Sequence, residues 1–325
     1  MMKRLVSTLL LAIASLMFTT AAVSEPLKIG YSDWPGWVTW EIAIEKNMFK
    51  KVGVDVDFEW FDYVASLDAF ASGQLDAVSV TNGDALVTGA TGAQNVMILI
   101  NDYSDGNDMV VGAPGITSIK DLKGKKVGVE IGFVDHLLLL KALEKNGMSE
   151  KDVELVNVPT NETPQVLASG QVDAIGAWQP SSGQALSLVP GSSPIFTSAD
   201  EPGLIYDVLA VSPTSLAQHR EEWAKVLKVW DMAVAYLNDP ATRDDAISIM
   251  AARVGLSPKA YKSFLAGTHI MNIQEALKYA KKAKGFSSIY GSSQISDDFN
   301  VANKVYAKPQ PIDSYIDMSL MKAVK

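Results

Sequence analysis

The stretch YSDWPGWVTW, residues 31–40, sets Asp33 beside Trp34 and brings Trp37 and Trp40 into the same ten positions, three of the chain's seven tryptophans. A carboxylate accepts hydrogen bonds and attracts positive charge. An indole face attracts cations, more strongly where water is excluded. The same two chemistries recur after other apolar runs. Asn82, Gly83 and Asp84 follow AVSVT; Asn101, Asp102 and Tyr103 follow VMILI, with Asp105 and Asp108 close behind. Glu130, Gly132, Phe133 and Asp135 follow KVGV, and Trp178 with Gln179 follows AIGA. Carboxylate plus indole describes a cage for a small cation that carries N–H donors.

Each residue also has a plainer use. Asp84 and Asp135 stand at predicted helix starts, where an acid balances the helix dipole and caps free N–H groups. Trp34 and Trp37 could pack beneath their loop, and Trp40, three residues on from Trp37, reads as core. Asp105 and Asp108, in SDGND, read as turn formers. Trp178, after a buried strand, reads as a ligand wall. Glu130 ends an apolar strand with no basic residue on its loop side, so the carboxylate needs a partner.

These positions depend on the elements around them. Strand-like runs (LKIGYS, VDVDFEWF, AVSVTN, KKVGVEI, VELVNVP, AIGAW) alternate with helical patterns, and the pattern turns mainly helical after Ser212. This is α/β alternation with mostly parallel sheets. An internal repeat organises it: FASGQLDAV at 70–78 matches LASGQVDAI at 167–175, and KIGYSD at 28–33 answers KVGVEI at 126–131. Gly73 and Gly170 read as helix ends, which leaves Asp76 and Asp173 to fix the turns before strands. Two similar lobes bring the carboxyl ends of two sheets to one crevice, where ligands of open α/β sheets bind. Lobe one is expected to hold 25–111 and 212–325, and lobe two 112–211, with GAPG (112–115) and VSPTS (211–215) as hinges.

Composition removes other classes. Lys3 and Arg4, the apolar run to Phe18 and the small residues before Glu25 form a signal-peptide pattern over 1–24, which implies an exported, periplasmic protein. There is no cysteine, hence no disulfide framework or thiolate chemistry. The formal net charge of −9 argues against a nucleic-acid partner. The three histidines, His136, His219 and His269, form no metal-ligand pair, and there is no GxSxG, P-loop or GxGxxG. No catalytic residue, metal site or cofactor is expected. DYSDGND at 102–108 is the one dense acidic run, and it lacks the spaced glutamate of a calcium loop.

LKIGYSDWPGW, AIEKNMFKKVGVDVDF, DAFASGQLDAVSVTNGD, IKDLKGKKVGVEIG and VLASGQVDAIGAWQP, in this order and spacing, resemble the substrate-binding proteins of nitrate/sulfonate/taurine-type ABC transporters. The resemblance implies a type II periplasmic binding protein fold, two hinged lobes closing on a small solute, monomeric and delivering it to an ABC permease membrane subunit. Anion-binding members tend to offer Ser, Thr and helix N-termini; here the loops carry acids instead. The chain looks most like the branch associated with urea or guanidine carboxylase operons, which implies guanidinium as cargo. The expected ligand set is Asp33, Trp34, Trp37, Asp84, Asp102, Glu130, Asp135 and Trp178. Taurine, an alkanesulfonate or urea is the alternative cargo. An enzyme is the reading from another class, since relatives with this fold include a thiamine-pyrimidine synthesising protein.

Overall fold

The structure is a computed structural model and describes residues 25–324. The expected signal peptide lies outside the described residues. The strands are β1 (Leu27–Tyr31), β2 (Val56–Trp60), β3 (Ala77–Thr81), β4 (Val96–Ser104), β5 (Met109–Gly112), β6 (Lys126–Val129), β7 (Glu154–Asn157), β8 (Ala174–Ala177), β9 (Ser193–Thr197), β10 (Tyr206–Val211) and β11 (Thr268–Ile270). They form two sheets, β11-β4-β10-β3-β1-β2 and β7-β6-β8-β5-β9. Helices flank both, and those after Ser212 pack on the first sheet; Trp230 of helix Arg220–Asn238 meets Trp40 with ring centres 4.7 Å apart.

The sequence repeat becomes a structural one. In the first sheet Ile29 lies opposite Ala77, and in the second Val127 lies opposite Ala174, at nearly the offset read from the sequence. The repeated aspartates do the same work twice. Asp76 Oδ2 accepts from the Lys28 amide at 2.9 Å, and Asp173 Oδ2 from the Lys126 amide at 2.9 Å. Each therefore fixes where its parallel neighbour strand begins. The preceding Gly73 (φ +76°) and Gly170 (φ +72°) end their helices in the left-handed region that a side chain disfavours.

Three expectations need correction. The sheets are mixed: β2-β1-β3 and β7-β6-β8 are parallel, whereas β10, β4, β11, β5 and β9 add antiparallel pairs. Parallel pairing holds within each βαβαβ half, and strands that enter from the other half run against it. The chain also changes sheets earlier than expected. β5 already belongs to the second sheet and β10 to the first, so neither GAPG nor VSPTS is a crossing. The crossings are the segments between Ser104 and Met109 and between Thr197 and Tyr206, and they are tied together. Ser104 and Ser198 hydroxyls are 2.6 Å apart, and the Gly106 amide donates to Ser198 Oγ at 2.7 Å. Asp108, expected as a turn former, is buried in the first of these crossings. Finally, Asp102 lies inside a strand rather than in a loop. β4 runs on through it because both neighbours pair there, with Asp207 of β10 on one side and Ile270 of β11 on the other.

Candidate functional site

A cavity of about 410 Å³ opens between the two sheets. Its first-lobe wall comes from Asp33, after β1, and from the Trp60–Ala65 loop that ends β2 and begins helix Tyr63–Ala71. Its second-lobe wall comes from Glu130, Ile131 and Phe133, after β6, from the loop after β7 that carries Thr160 and Glu162, and from Trp178 and Ser181 after β8. The strand ends of both sheets thus meet, as open α/β sheets require of a ligand crevice. Four of the lining side chains are acids (Asp33, Asp62, Glu130 and Glu162), and no lysine, arginine or histidine is among the described lining residues.

Of the eight expected side chains, Asp33, Glu130 and Trp178 line the cavity; Trp34, Trp37, Asp84, Asp102 and Asp135 are not on its wall. They form a buried layer beneath it. Trp34 Nε1 donates to Asp102 Oδ1 at 2.9 Å, which anchors the loop that carries Asp33. Gly36 allows this approach, since a Cβ there would collide with the Asp102 carboxylate. Trp37 stacks on Tyr63 with centres 5.4 Å apart and planes at 24°. Tyr63 in turn meets Trp178 edge-on at 5.2 Å and donates to Asp84 Oδ2 at 2.7 Å. In the second lobe the Thr160 hydroxyl lies 3.0 Å from Asp135 Oδ2 and 3.3 Å from Glu130 Oε2. A single hydroxyl proton serves one of these at a time.

Besides the Tyr63–Trp178 ring contact, two hydrogen bonds join the lobes. Trp178 Nε1 donates to Asp33 Oδ1 at 3.3 Å. The Val134 amide, first in helix Val134–Lys145, donates to Asp84 Oδ2 at 3.3 Å. Asp84 stands in the expected ligand set, with a cap on its own helix as its plainer use. It instead puts its carboxylate at the N-terminus of a helix in the other lobe, where the dipole favours an anion, while Thr81 caps the helix that carries it. Asp135 lies in the first turn of helix Val134–Lys145 but bonds Thr160 rather than capping. His136 is buried and accepts from the Gly132 amide at Nδ1, 3.2 Å away; burial lowers its pKa, so it is the neutral form that serves here.

Burial dominates the electrostatics. It raises Asp33 to about 6 and Glu130 to about 7. Asp84, Asp102 and Asp108 are each raised to about 7 by the same cause. Asp135 and Asp207 are held well above the usual carboxylate range, by burial first and by neighbouring acids second. Asp102 and Asp207 are cross-strand neighbours, and the Asp102 carboxylate adds to the upward shift of Asp207. Among the described residues no group of His, Cys, Asp and Glu has metal-holding geometry.

Sequence reasoning missed Tyr63, Asp62, Phe133's place on the wall, Thr160 and Glu162. Their signal was available: they follow strands β2, β6 and β7, and a rule applied to every strand end finds them.

A sequence model of the NMT1-like family matches residues 20–251. A binding protein of Brucella abortus is 33% identical over 202 residues, which span 62% of this chain and 62% of that protein. The taurine-binding periplasmic protein of Escherichia coli is 26% identical over 202 residues, covering 61% of this chain and 60% of the relative. The match spans about three fifths of the length of each of these relatives. Among solved structures, the periplasmic aliphatic sulphonate binding protein of Escherichia coli superposes with a TM-score of 0.75 at 21% identity, over 90% of this chain and 92% of that one. That likeness shows the two-lobed, type II periplasmic binding protein fold. No helix among the described residues is long and apolar enough to cross a membrane.

Proposed function

We propose that this chain, which belongs to the NMT1-like family, is the solute-binding protein of an ABC importer and that its cargo is a flat organic cation, with guanidinium as the reference ligand. It works outside the cytoplasmic membrane, captures the cargo between its lobes and hands it to a membrane permease. The observation that carries the choice of cargo is a single one: Asp33 and Glu130 face one cavity from opposite lobes, with no basic side chain among the described residues of its wall.

Guanidinium fits this chemistry. It is planar, always charged, and pairs with carboxylates through two parallel N–H bonds. Asp33 and Glu130 accept those bonds, and Trp178 offers an aromatic face to the cation. A cation held by both acids ties the lobes together, and closure strengthens the pairing by excluding water. The buried layer keeps the acceptors in place. Asp102 holds Trp34 and thus the Asp33 loop, Asp84 holds Tyr63 and the second-lobe helix, and Thr160 links Glu130 to Asp135.

Taurine is the second reading, favoured by the name of the Escherichia coli relative. Its ammonium could meet Asp33 or Glu130, and Ser181, at the start of helix Ser181–Leu188, could donate to its sulfonate. The sulfonate would still share the cavity with four acids, and like charges at this range cost binding energy. Isothermal titration of the purified protein at pH 7.5 separates the readings. Guanidinium is expected to bind at least tenfold more tightly than taurine, methanesulfonate, nitrate or urea; tighter binding of taurine or methanesulfonate would reverse the assignment.

A further inference from the structure

The cavity changes character from floor to mouth. Glu130, Thr160, Trp178 and Ser181 are buried, whereas Asp62, Asn161 and Glu162 are exposed at the rim. Between them the wall is apolar: Val64 and Phe133 are half-buried, and Ile131, at 43% exposure, and Trp60, at 36%, are among the described chain's few exposed large hydrophobic side chains. Scattered exposed apolar residues need no explanation, but these two stand at one cavity, on opposite lobes. The volume of about 410 Å³ lies in the range of sites that hold ligands of drug size, roughly 300–1,000 Å³. Guanidinium has four heavy atoms. At roughly 30 Å³ per water-sized group, it fills only about a third of such a space.

Resting on the cation reading above, we infer that the cargo is a monosubstituted guanidine, with its charged head between Asp33 and Glu130 and an alkyl substituent running outward between Trp60 and Val64 on one lobe and Ile131 and Phe133 on the other. The head supplies charge and hydrogen bonds to the buried end. The substituent covers apolar surface that a bare guanidinium leaves in water when the lobes close. A substituent ending in a second amine would meet Asp62 and Glu162, but these rim acids are exposed, so their contribution is small and screened by salt. The main selectivity therefore comes from chain length.

The test is a homologous series titrated into the purified protein by calorimetry: guanidinium, methylguanidinium, ethylguanidinium and butylguanidinium, with agmatine as the amine-terminated member. A fully buried methylene contributes about 0.8 kcal/mol, or roughly fourfold in affinity. Butylguanidinium is expected to bind at least tenfold more tightly than guanidinium, with a more negative heat-capacity change. Ile131→Ser and Phe133→Ala should each shrink that ratio. Agmatine should match butylguanidinium to within a few-fold, with any advantage lost at high salt. Affinity that stays flat or falls with chain length, while guanidinium itself binds, would overturn the substituent and leave the cation reading intact. Failure of every member, guanidinium included, would overturn both.

Discussion

Glu130 and Asp33 are acids kept in places that disfavour their charge. Burial raises Glu130 to about 7 and Asp33 to about 6, so near and below pH 7 a cation competes with protons for them. Affinity for guanidinium is therefore expected to fall as pH drops from 8 to 5.5, and binding at pH 6.5 should release protons to the buffer; calorimetry in two buffers of different ionisation enthalpy measures both. The ligand-free protein should respond in the opposite sense. A raised folded-state pKa means that the folded chain binds more protons than the unfolded one between about pH 4 and 7, so stability falls as pH rises through that window. Asp84, Asp102 and Asp108, each raised to about 7, add to the same trend. The melting temperature without ligand is expected to be higher at pH 5.5 than at pH 8, and saturating guanidinium should reduce or invert that difference. A ligand-free protein that is more stable at pH 8 would contradict this. Glu130→Gln and Asp33→Asn should each weaken guanidinium binding by about 2–5 kcal/mol, the usual loss on removing one member of a desolvated charge pair. At pH 8 the ligand-free Glu130→Gln protein should also melt at a higher temperature than the parent, because an unfavourably buried charge is gone.

At the scale of elements, the repeat was the most legible feature. Asp76 and Asp173 could not be explained as helix ends, and the structure shows each accepting from an amide at the start of the adjacent parallel strand, Lys28 and Lys126. Asp76→Ala and Asp173→Ala are each expected to cost about 1.5–3 kcal/mol of stability, the usual worth of a hydrogen bond to a charged group, read as a lower midpoint in urea unfolding. Loss of either with no shift in midpoint would show the contact to be incidental. Strand ends were legible too, which is why Asp33, Glu130 and Trp178 were named from sequence and found on the cavity wall. What failed was the extent of elements. VMILI looked complete, so Asp102 was assigned to a loop, but a strand continues as long as its neighbours pair with it, and β10 and β11 lie far along the chain. Trp34 and Trp37 have the composition of a ligand wall, yet both are buried beneath the cavity, Trp34 hydrogen-bonded to Asp102 and Trp37 stacked on Tyr63. Local sequence gives residue types at a strand end; it does not say which of them face the cleft.

For the whole molecule, α/β class, two lobes and a helical C-terminal part follow from alternation and repeat, whereas the crossings do not. GAPG and VSPTS carry the composition of hinges, but β5 and β10 must each complete a sheet, and that pushes the crossings back to SDGN and the residues after Thr197. The two crossing segments bond to each other through Ser104, Gly106 and Ser198. Hydrogen bonds from Trp178 to Asp33 and from the Val134 amide to Asp84 join the lobes, and in the proposed capture of cargo they form as the lobes close. Binding is accordingly expected to change tryptophan fluorescence and to make the particle more compact in small-angle scattering. Asp84→Asn, which leaves the cavity wall unaltered, should weaken guanidinium binding several-fold by destabilising the closed form; an unchanged affinity would remove Asp84 from the closure.

The most direct test of the cationic site is the calorimetric titration of guanidinium into the parent protein and into Glu130→Gln at pH 7.5, with taurine as the competing ligand. The account predicts saturable one-to-one binding to the parent, at least tenfold tighter than taurine and lost or strongly weakened in the variant. Taurine binding preferred over guanidinium, or guanidinium affinity within about threefold in the two proteins, where loss of a desolvated charge pair costs far more, would contradict it.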